Sequence, residues 1–286
     1  MHIPNTASSR IWFITGASRG LGRAFALAAL ERGDHVVAAA RAIRRQDFGD
    51  RYGDRLLALP LDVTDRDAVF AGVNTAAEHF GRLDIVVNNA GTMSSGMVEE
   101  FTEAEARAQL DVNLFGAMWV CQAVLPHLRG QGSGHIVQVS SIAALGGFPS
   151  TGMYSASKFA LEGMSEALAM EAASFGVKLS IVQPGGYWTD LYTSMTTTSP
   201  SPEYGPLRAE LEKQWADGSI DSEPGLAAEA LLKLVDSEDP PLRLLLGSMV
   251  YDLAFDISRR RMDTWAAWEQ VSRAAEHAVP APATAG

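Results

Sequence analysis

The chain is short of several things, and each shortage excludes something. It has a single cysteine, Cys121, so no disulfide can form within it and a bridge-stapled scaffold is excluded. Its six histidines are scattered without metal-ligand spacing, and no metal site is expected. No run approaches the roughly 18 apolar residues that a membrane-spanning helix needs. The opening residues, Met1-His2-Ile3-Pro4-Asn5-Thr6, carry no apolar signal-peptide core. Basic residues are outnumbered, 23 Lys and Arg against 34 Asp and Glu, leaving a net charge of −11. That balance opposes binding to nucleic acid and to anionic membranes. These absences together lead us to expect a soluble protein in a reducing, cytoplasmic setting.

What is present is ample apolar material. Hydrophobic residues make up 47% of 286, enough for one core that buries about three quarters of the unfolded surface, so residues 1–286 are expected to form a single domain. Apolar runs of strand length occur at 11–15, 35–40, 56–60, 83–88, 135–140 and 177–183, with a last short run at 242–246. They are continuously apolar, as strands covered on both faces are. Helical patterns lie between them, for instance at 65–80 and 102–128. This alternation predicts an α/β fold with a doubly wound parallel sheet of about seven strands. Right-handed crossovers would place all strand C-terminal ends on one edge, where ligands bind. The pattern breaks over 189–224, which is expected to be an irregular segment over the site. A helical extension is expected over 248–278, with Trp265 and Trp268 packed against the body, followed by a frayed end from 279.

Two motifs carry chemistry. Tyr154-Ser155-Ala156-Ser157-Lys158 puts a phenol and an ammonium four residues apart, on one helical face and about 6 Å apart along the axis. A free tyrosine, with a pKa of about 10, is a poor acid or base at neutral pH. A neighbouring cation favours the phenolate and brings that pKa toward the working range. Near the N-terminus, an apolar run leads into Gly16-Ala17-Ser18-Arg19-Gly20-Leu21-Gly22, and a helical pattern over 23–32 follows. Glycines that let a ligand approach the backbone, set at a helix N-terminus, make a pyrophosphate cradle. The spacing is G-x-x-x-G-x-G, unlike the commoner G-x-G-x-x-G fingerprint.

In this order and at this distance, the two motifs resemble the short-chain dehydrogenase/reductase family, whose domain is a Rossmann fold. The resemblance covers residues 10–190 well and the rest loosely. It implies catalytic roles for Asn113, Ser141, Tyr154 and Lys158. Ser140 is a rival to Ser141, and the gap of thirteen residues to Tyr154 favours Ser141. Implied cofactor contacts are Gly16, Ser18, Arg19, Gly20 and Leu21 in the loop, Arg41, Asp62 and Val63 at the adenine end, and Asn89, Ala90 and Gly91 after the fourth strand. Tyr154, Lys158, Pro184, Gly185 and Thr189 complete that set. An acidic residue ending the second strand would select NAD. Ala40 stands there, followed by Arg41. A guanidinium suits a phosphate, so Arg19 and Arg41 resemble the NADP-preferring members, and NADP(H) is expected over NAD(H). Arg44 and Arg45 either add positive potential or are a solvated helix start.

The implied reaction is hydride transfer between a ketone or aldehyde and its alcohol. The alternatives are an NADPH-binding redox sensor without turnover, and an isomerase or epimerase on the same scaffold. Apolar candidates for the pocket are Met93, Leu145, Phe148, Met153, Tyr187, Trp188, Tyr192 and Met195. They contain no Lys or Arg, which suggests a neutral, lipophilic substrate. The resemblance also implies a homodimer or homotetramer formed through helices at 102–128 and 151–174, where Phe159, Met164 and Leu168 serve either the interface or the core.

Overall fold

The computed structural model describes residues 9–191, 193–216 and 221–276. Tyr192, the first eight residues and the end from 277 lie outside the described residues. Seven parallel strands form the central sheet: β1 (Ile11–Thr15), β2 (His35–Ala40), β3 (Leu56–Pro60), β4 (Ile85–Asn88), β6 (Gly134–Val139), β7 (Val177–Pro184) and β9 (Arg243–Leu246). Their order is β3-β2-β1-β4-β6-β7-β9. The order reverses beside β1, whose neighbours are β2 on one side and β4 on the other. Two short strands, β5 (Ser94–Ser95) and β8 (Thr196–Thr197), pair in parallel outside this sheet.

Helices cover both faces. On one side lie α1 (Gly20–Glu31) and α7 (Pro224–Asp236). On the other lie α2 (Arg66–Phe80), α4 (Ala117–Gln131) and α5 (Gly152–Ala173). The pleat divides β1 between the two layers: Trp12 and Ile14 enter the first core, and Ile11 and Phe13 enter the second. Trp12, Phe13 and Ile14 are fully buried, each stabilising the fold by about 1.5–3 kcal/mol relative to exposure. Local chemistry sets the helix ends. Asp65 accepts from Ala68 N–H at 3.0 Å to start α2, and Gly81, in the left-handed region at φ 80°, ends it.

Two expectations are corrected and one is refined. The stretch over 102–128 is helical throughout but not uniformly α: α3 (Glu103–Leu110) passes through a π-helical turn (Asp111–Gly116) into α4. The segment over 189–224 is less irregular than expected, since it contains β8 and α6 (Gly205–Ala216). The extension forms α8 (Ser248–Ala267) and α9 (Glu269–Ala274), yet Trp265 and Trp268 are 66% and 61% exposed rather than packed on the body. Leu168 belongs to the core, whereas Phe159 is exposed.

Candidate active site

The site lies on the edge formed by the C-terminal ends of β1, β4, β6 and β7. β1 ends at Thr15, and Gly16 turns at φ 65° into α1. Arg19 is the N-cap of α1, with extended backbone and no side-chain capping bond, and the first turn holds no acidic residue. The N–H groups of that turn are therefore open, with the positive end of the helix unneutralised. This cradle fits a dinucleotide pyrophosphate. The loop is fixed from behind by Asn89, whose Nδ2 donates to Thr15 O (3.0 Å) and Gly16 O (3.2 Å). Thr15 Oγ1 accepts from Asn89 N–H and Ala90 N–H, both at 3.0 Å. Thr189 approaches Gly20 closely enough to make a Cβ there tight, at 3.2 Å. The glycine loop, the 89–91 turn and Thr189 are thus brought together.

At the other end of the cradle, Ala40 pairs with Pro60 in register, which sets Arg41 beside the turn that carries Asp62 and Val63. Asp62 Oδ1 accepts from Thr64 N–H (3.0 Å) and Thr64 Oγ1 (2.8 Å), while Val63 is buried. Arg41 is exposed. Arg19 turns toward the segment after Thr189, where it donates to Ser194 Oγ at 3.1 Å and lies 3.9 Å from Asp190. No partner shared by Arg19 and Arg41 joins them among the described residues. Arg44 pairs with Asp47, and Arg45 stands 3.9 Å from Asp54, so these two belong to an exposed helix start.

Tyr154 and Lys158 both face inward from α5 and are nearly buried, at 7% and 5% exposure. The Lys158 Nζ stands 5.8 Å from the Tyr154 ring centre and donates to Val139 O at 2.9 Å. Burial pushes the lysine down to about 8, and the Glu162 carboxylate opposes that shift. Asn113 sits in the π-helical turn, a distortion common at functional sites. Its Nδ2 donates to Thr92 O (3.0 Å) and Ser157 Oγ (2.9 Å), and its Oδ1 accepts from Thr92 N–H (2.9 Å). Gly91 comes close to both groups: a Cβ there would lie 3.4 Å from Asn113 Oδ1 and 3.8 Å from Lys158 Nζ. Ser141 follows β6 two residues past Val139, and its Oγ accepts from Ala143 N–H at 3.1 Å, leaving its O–H to donate elsewhere. Ser140 instead donates to Glu162 at 2.5 Å, so its O–H is already engaged. Pro184 ends β7, and Gly185 N–H donates to Leu246 O at 3.3 Å.

The expected pocket residues divide. Tyr187 belongs to the core on the α1 side, and Trp188 is 74% exposed. Met93, Leu145, Phe148, Met153 and Met195 are half-buried. The segment bearing Met195 is stitched to the 93–95 turn by Thr196 N–H to Met93 O (3.2 Å) and Thr198 N–H to Ser95 O (3.0 Å). Two features of the rim escaped the sequence reading. Glu100 accepts from Thr198 Oγ1 and Ser201 N–H, both at 2.8 Å, and from Arg208. Arg261 of α8 donates to Leu145 O at 2.7 Å. Both are long-range pairings with no local motif.

A chain with this sheet order and this edge matches the short chain dehydrogenase family model over residues 10–200, and it belongs to that family of oxidoreductases. It is 43% identical over 246 residues to "Oxidoreductase BOA17" of Botryotinia fuckeliana, covering 84% of this chain and 89% of the relative. It is 36% identical over 248 residues to a 3-ketodihydrosphingosine reductase of Bacteroides thetaiotaomicron, with 84% and 89% covered. A short-chain dehydrogenase from Streptomyces avermitilis superposes with a TM-score of 0.87 at 36% identity, covering 94% of this chain and all of that one. An alcohol dehydrogenase from the archaeon Thermococcus sibiricus, 26% identical with TM-score 0.70 over 84% of this chain and 96% of its own, is complexed with 5-hydroxy-NADP. A relative of the same fold from Burkholderia phymatum holds NAD. Both NADP-type and NAD cofactors thus occur among the solved neighbours.

Proposed function

We propose that this protein is an NADP-dependent oxidoreductase that interconverts a ketone or aldehyde and the corresponding alcohol, with Tyr154 as general acid and base. The observation that carries the reading is the buried Lys158 beside the Tyr154 ring at the sheet edge. The nicotinamide, when bound, supplies or accepts the hydride. The open first turn of α1 would bind the pyrophosphate, Asp62 and Val63 would border the adenine, and Asn89, Ala90, Gly91, Pro184, Gly185 and Thr189 would hold the nicotinamide half. Ser141 would donate its free O–H to the substrate oxygen and stabilise charge developing there. Tyr154 would give that oxygen a proton in reduction and take one in oxidation. Lys158, while protonated, favours the phenolate and so lowers the cost of that transfer. Asn113 holds the turn that faces Lys158.

Preference for NADP is supported by Ala40 in place of an acid and by the exposed Arg41, which has no ion-pair partner among the described residues. The half-buried apolar residues around the rim support a neutral, lipophilic carbonyl substrate, as does the resemblance to a 3-ketodihydrosphingosine reductase. Pairing of two copies across α5 is supported by the exposed Phe159 and Met170 on that helix. The test is NADPH consumption against a panel of carbonyl compounds, with NADH in parallel and Tyr154→Phe as control. Turnover with NADPH that the substitution abolishes is the expected result. Cofactor binding without turnover across the panel would refute the enzymatic reading, and faster turnover with NADH would refute the cofactor preference.

A further inference from the structure

Behind Lys158 lies a buried carboxylate to which the proposed chemistry gives no task. Glu162 follows Lys158 by one turn of α5 and is 6% exposed. Its Oε1 accepts from Ser140 Oγ (2.5 Å) and Gln183 Nε2 (2.8 Å), and its Oε2 accepts from Arg243 Nε (3.0 Å). Ser140 immediately precedes Ser141, Gln183 immediately precedes Pro184, and Arg243 opens β9. One carboxylate therefore ties the ends of β6 and β7, which deliver Ser141 and the 184–189 segment, to the helix that carries Tyr154 and Lys158. A charge is kept in such a place only when donors surround it, and three do.

The surrounding charges are few. Around Lys158 among the described residues are Tyr154 and Glu162 on its own helix, the Val139 carbonyl on β6 and the Gly91 backbone, behind which lies the neutral Asn113 amide. Facing Glu162 are Lys158, Ser140, Gln183 and Arg243, and Glu166 accepts from the outer nitrogen of Arg243. In the same layer, from α4, the Cys121 thiol accepts from Asn88 and Gln138. Burial pushes that thiol up to about 11, so it is neutral. The anion that acts on Lys158 is Glu162.

We propose that Glu162 is a positioning residue that keeps Lys158 an ammonium and clamps the Ser140–Ser141 and Gln183–Pro184 corners onto α5, with Arg243 limiting how much of its charge reaches the lysine. The inference rests on the reading of Tyr154 and Lys158 as the proton-transfer pair. Removing the carboxylate's charge destabilises the ammonium, and Arg243, then paired with Glu166 alone, does so further. Removing Arg243 frees the carboxylate to stabilise it. The two substitutions must therefore act in opposite directions.

The experiment is NMR titration of the full chain carrying isotope-labelled lysine. The chain has four lysines, Lys158, Lys178, Lys213 and Lys233, and Lys158→Ala assigns the signal. Glu162→Gln is expected to lower the Lys158 midpoint by about one pH unit, and Arg243→Met is expected to raise it. The pH at which carbonyl reduction falls off should move in the same two directions. Both midpoints unchanged, or both shifted the same way with only a lower melting temperature, would overturn the proposal. If Glu162→Gln does not fold, an upward shift in Arg243→Met supports it and no shift there overturns it. Opposite shifts in a parent protein that turns over no carbonyl would leave the positioning role standing while the reading of the reaction fails.

Discussion

Gly22→Ala separates local from tertiary reasoning about the glycine loop. Gly22 lies inside α1 without a positive φ, so helix propensity alone predicts that alanine stabilises the protein by about 1 kcal/mol. The tertiary structure predicts the opposite. A Cβ at Gly22 would stand well inside contact distance of Asn89 Nδ2 and Gly16 O, and 2.9 Å from the Gly16 carbonyl carbon. Carbon atoms at rest sit about 3.5–4.0 Å from their neighbours, so α1 and the loop must separate by roughly 1 Å. Backbone lies on one side of the clash, and it yields less readily than a flexible side chain. Separation breaks the bonds from Asn89 Nδ2 to Thr15 O and Gly16 O, at about 1 kcal/mol each, and overpacking costs about 1–3 kcal/mol more. Less the propensity gain, the net loss is about 2–4 kcal/mol, or a melting temperature lowered by roughly 5–10 °C. Because the same movement displaces the open N–H groups of α1, NADPH binding should weaken about tenfold or more, the equivalent of about 1.4 kcal/mol. Thermal melts and NADPH fluorescence titrations read the two effects. An unchanged or raised melting temperature with parental affinity would refute the reasoning.

Other perturbations have definite directions. Burial brings the Lys158 ammonium down to about 8 from its ordinary 10.5; on the proposed mechanism the active form in reduction carries its protons on Tyr154 and Lys158, so kcat/KM should fall as pH rises through about 8, and a flat profile up to pH 10.5 would contradict the burial argument. Ala40→Asp should raise NADH use and depress NADPH use, because a carboxylate repels the extra phosphate, whereas Arg41→Ala should weaken NADPH alone; equal effects on both cofactors would count against the selectivity reading. Glu100→Gln should raise KM several-fold and expose the 196–208 segment to protease while barely shifting the melting temperature. The Arg208 guanidinium, followed by the Ser201 N–H, holds the Glu100 carboxyl down at about 2 against an ordinary 4.5. The contribution of that tie is complete above pH 4.5 and is lost as pH falls toward 2, so proteolysis of the parent should begin only in strong acid.

Much of the sheet was legible because its inner strands are buried on both faces, and a strand covered twice is written as an uninterrupted apolar run. The strands Ile11–Thr15, His35–Ala40 and Ile85–Asn88 fall where those runs lie. The helix over 102–128 was legible but its π-helical turn at Asn113 was not, because periodicity does not register a change from i→i+4 to i→i+5 bonding. The segment over 189–224 was misread because its order is imposed from outside, by β5 pairing with β8 and by Glu100 gathering Thr198, Ser201 and Arg208. Trp265 and Trp268 gave the opposite error: apolar side chains predict burial, but among the described residues the end of α8 and α9 stand exposed.

The sequence by itself determined the family, the sheet, the glycine loop and the pairing of Tyr154 with Lys158, because each is written in neighbouring residues and follows from the local geometry of strands and helices. Only the tertiary structure decided that Asn89 rather than the loop's own residues fixes Gly16, that Arg19 turns toward Asp190 and Ser194, and that Ser140 is spent on Glu162. It alone placed Glu162 and Arg243, 81 residues apart in the chain, behind the lysine. Those arrangements join residues distant in the chain, and a buried charge finds its partners by the way the layers close, which no local spacing records.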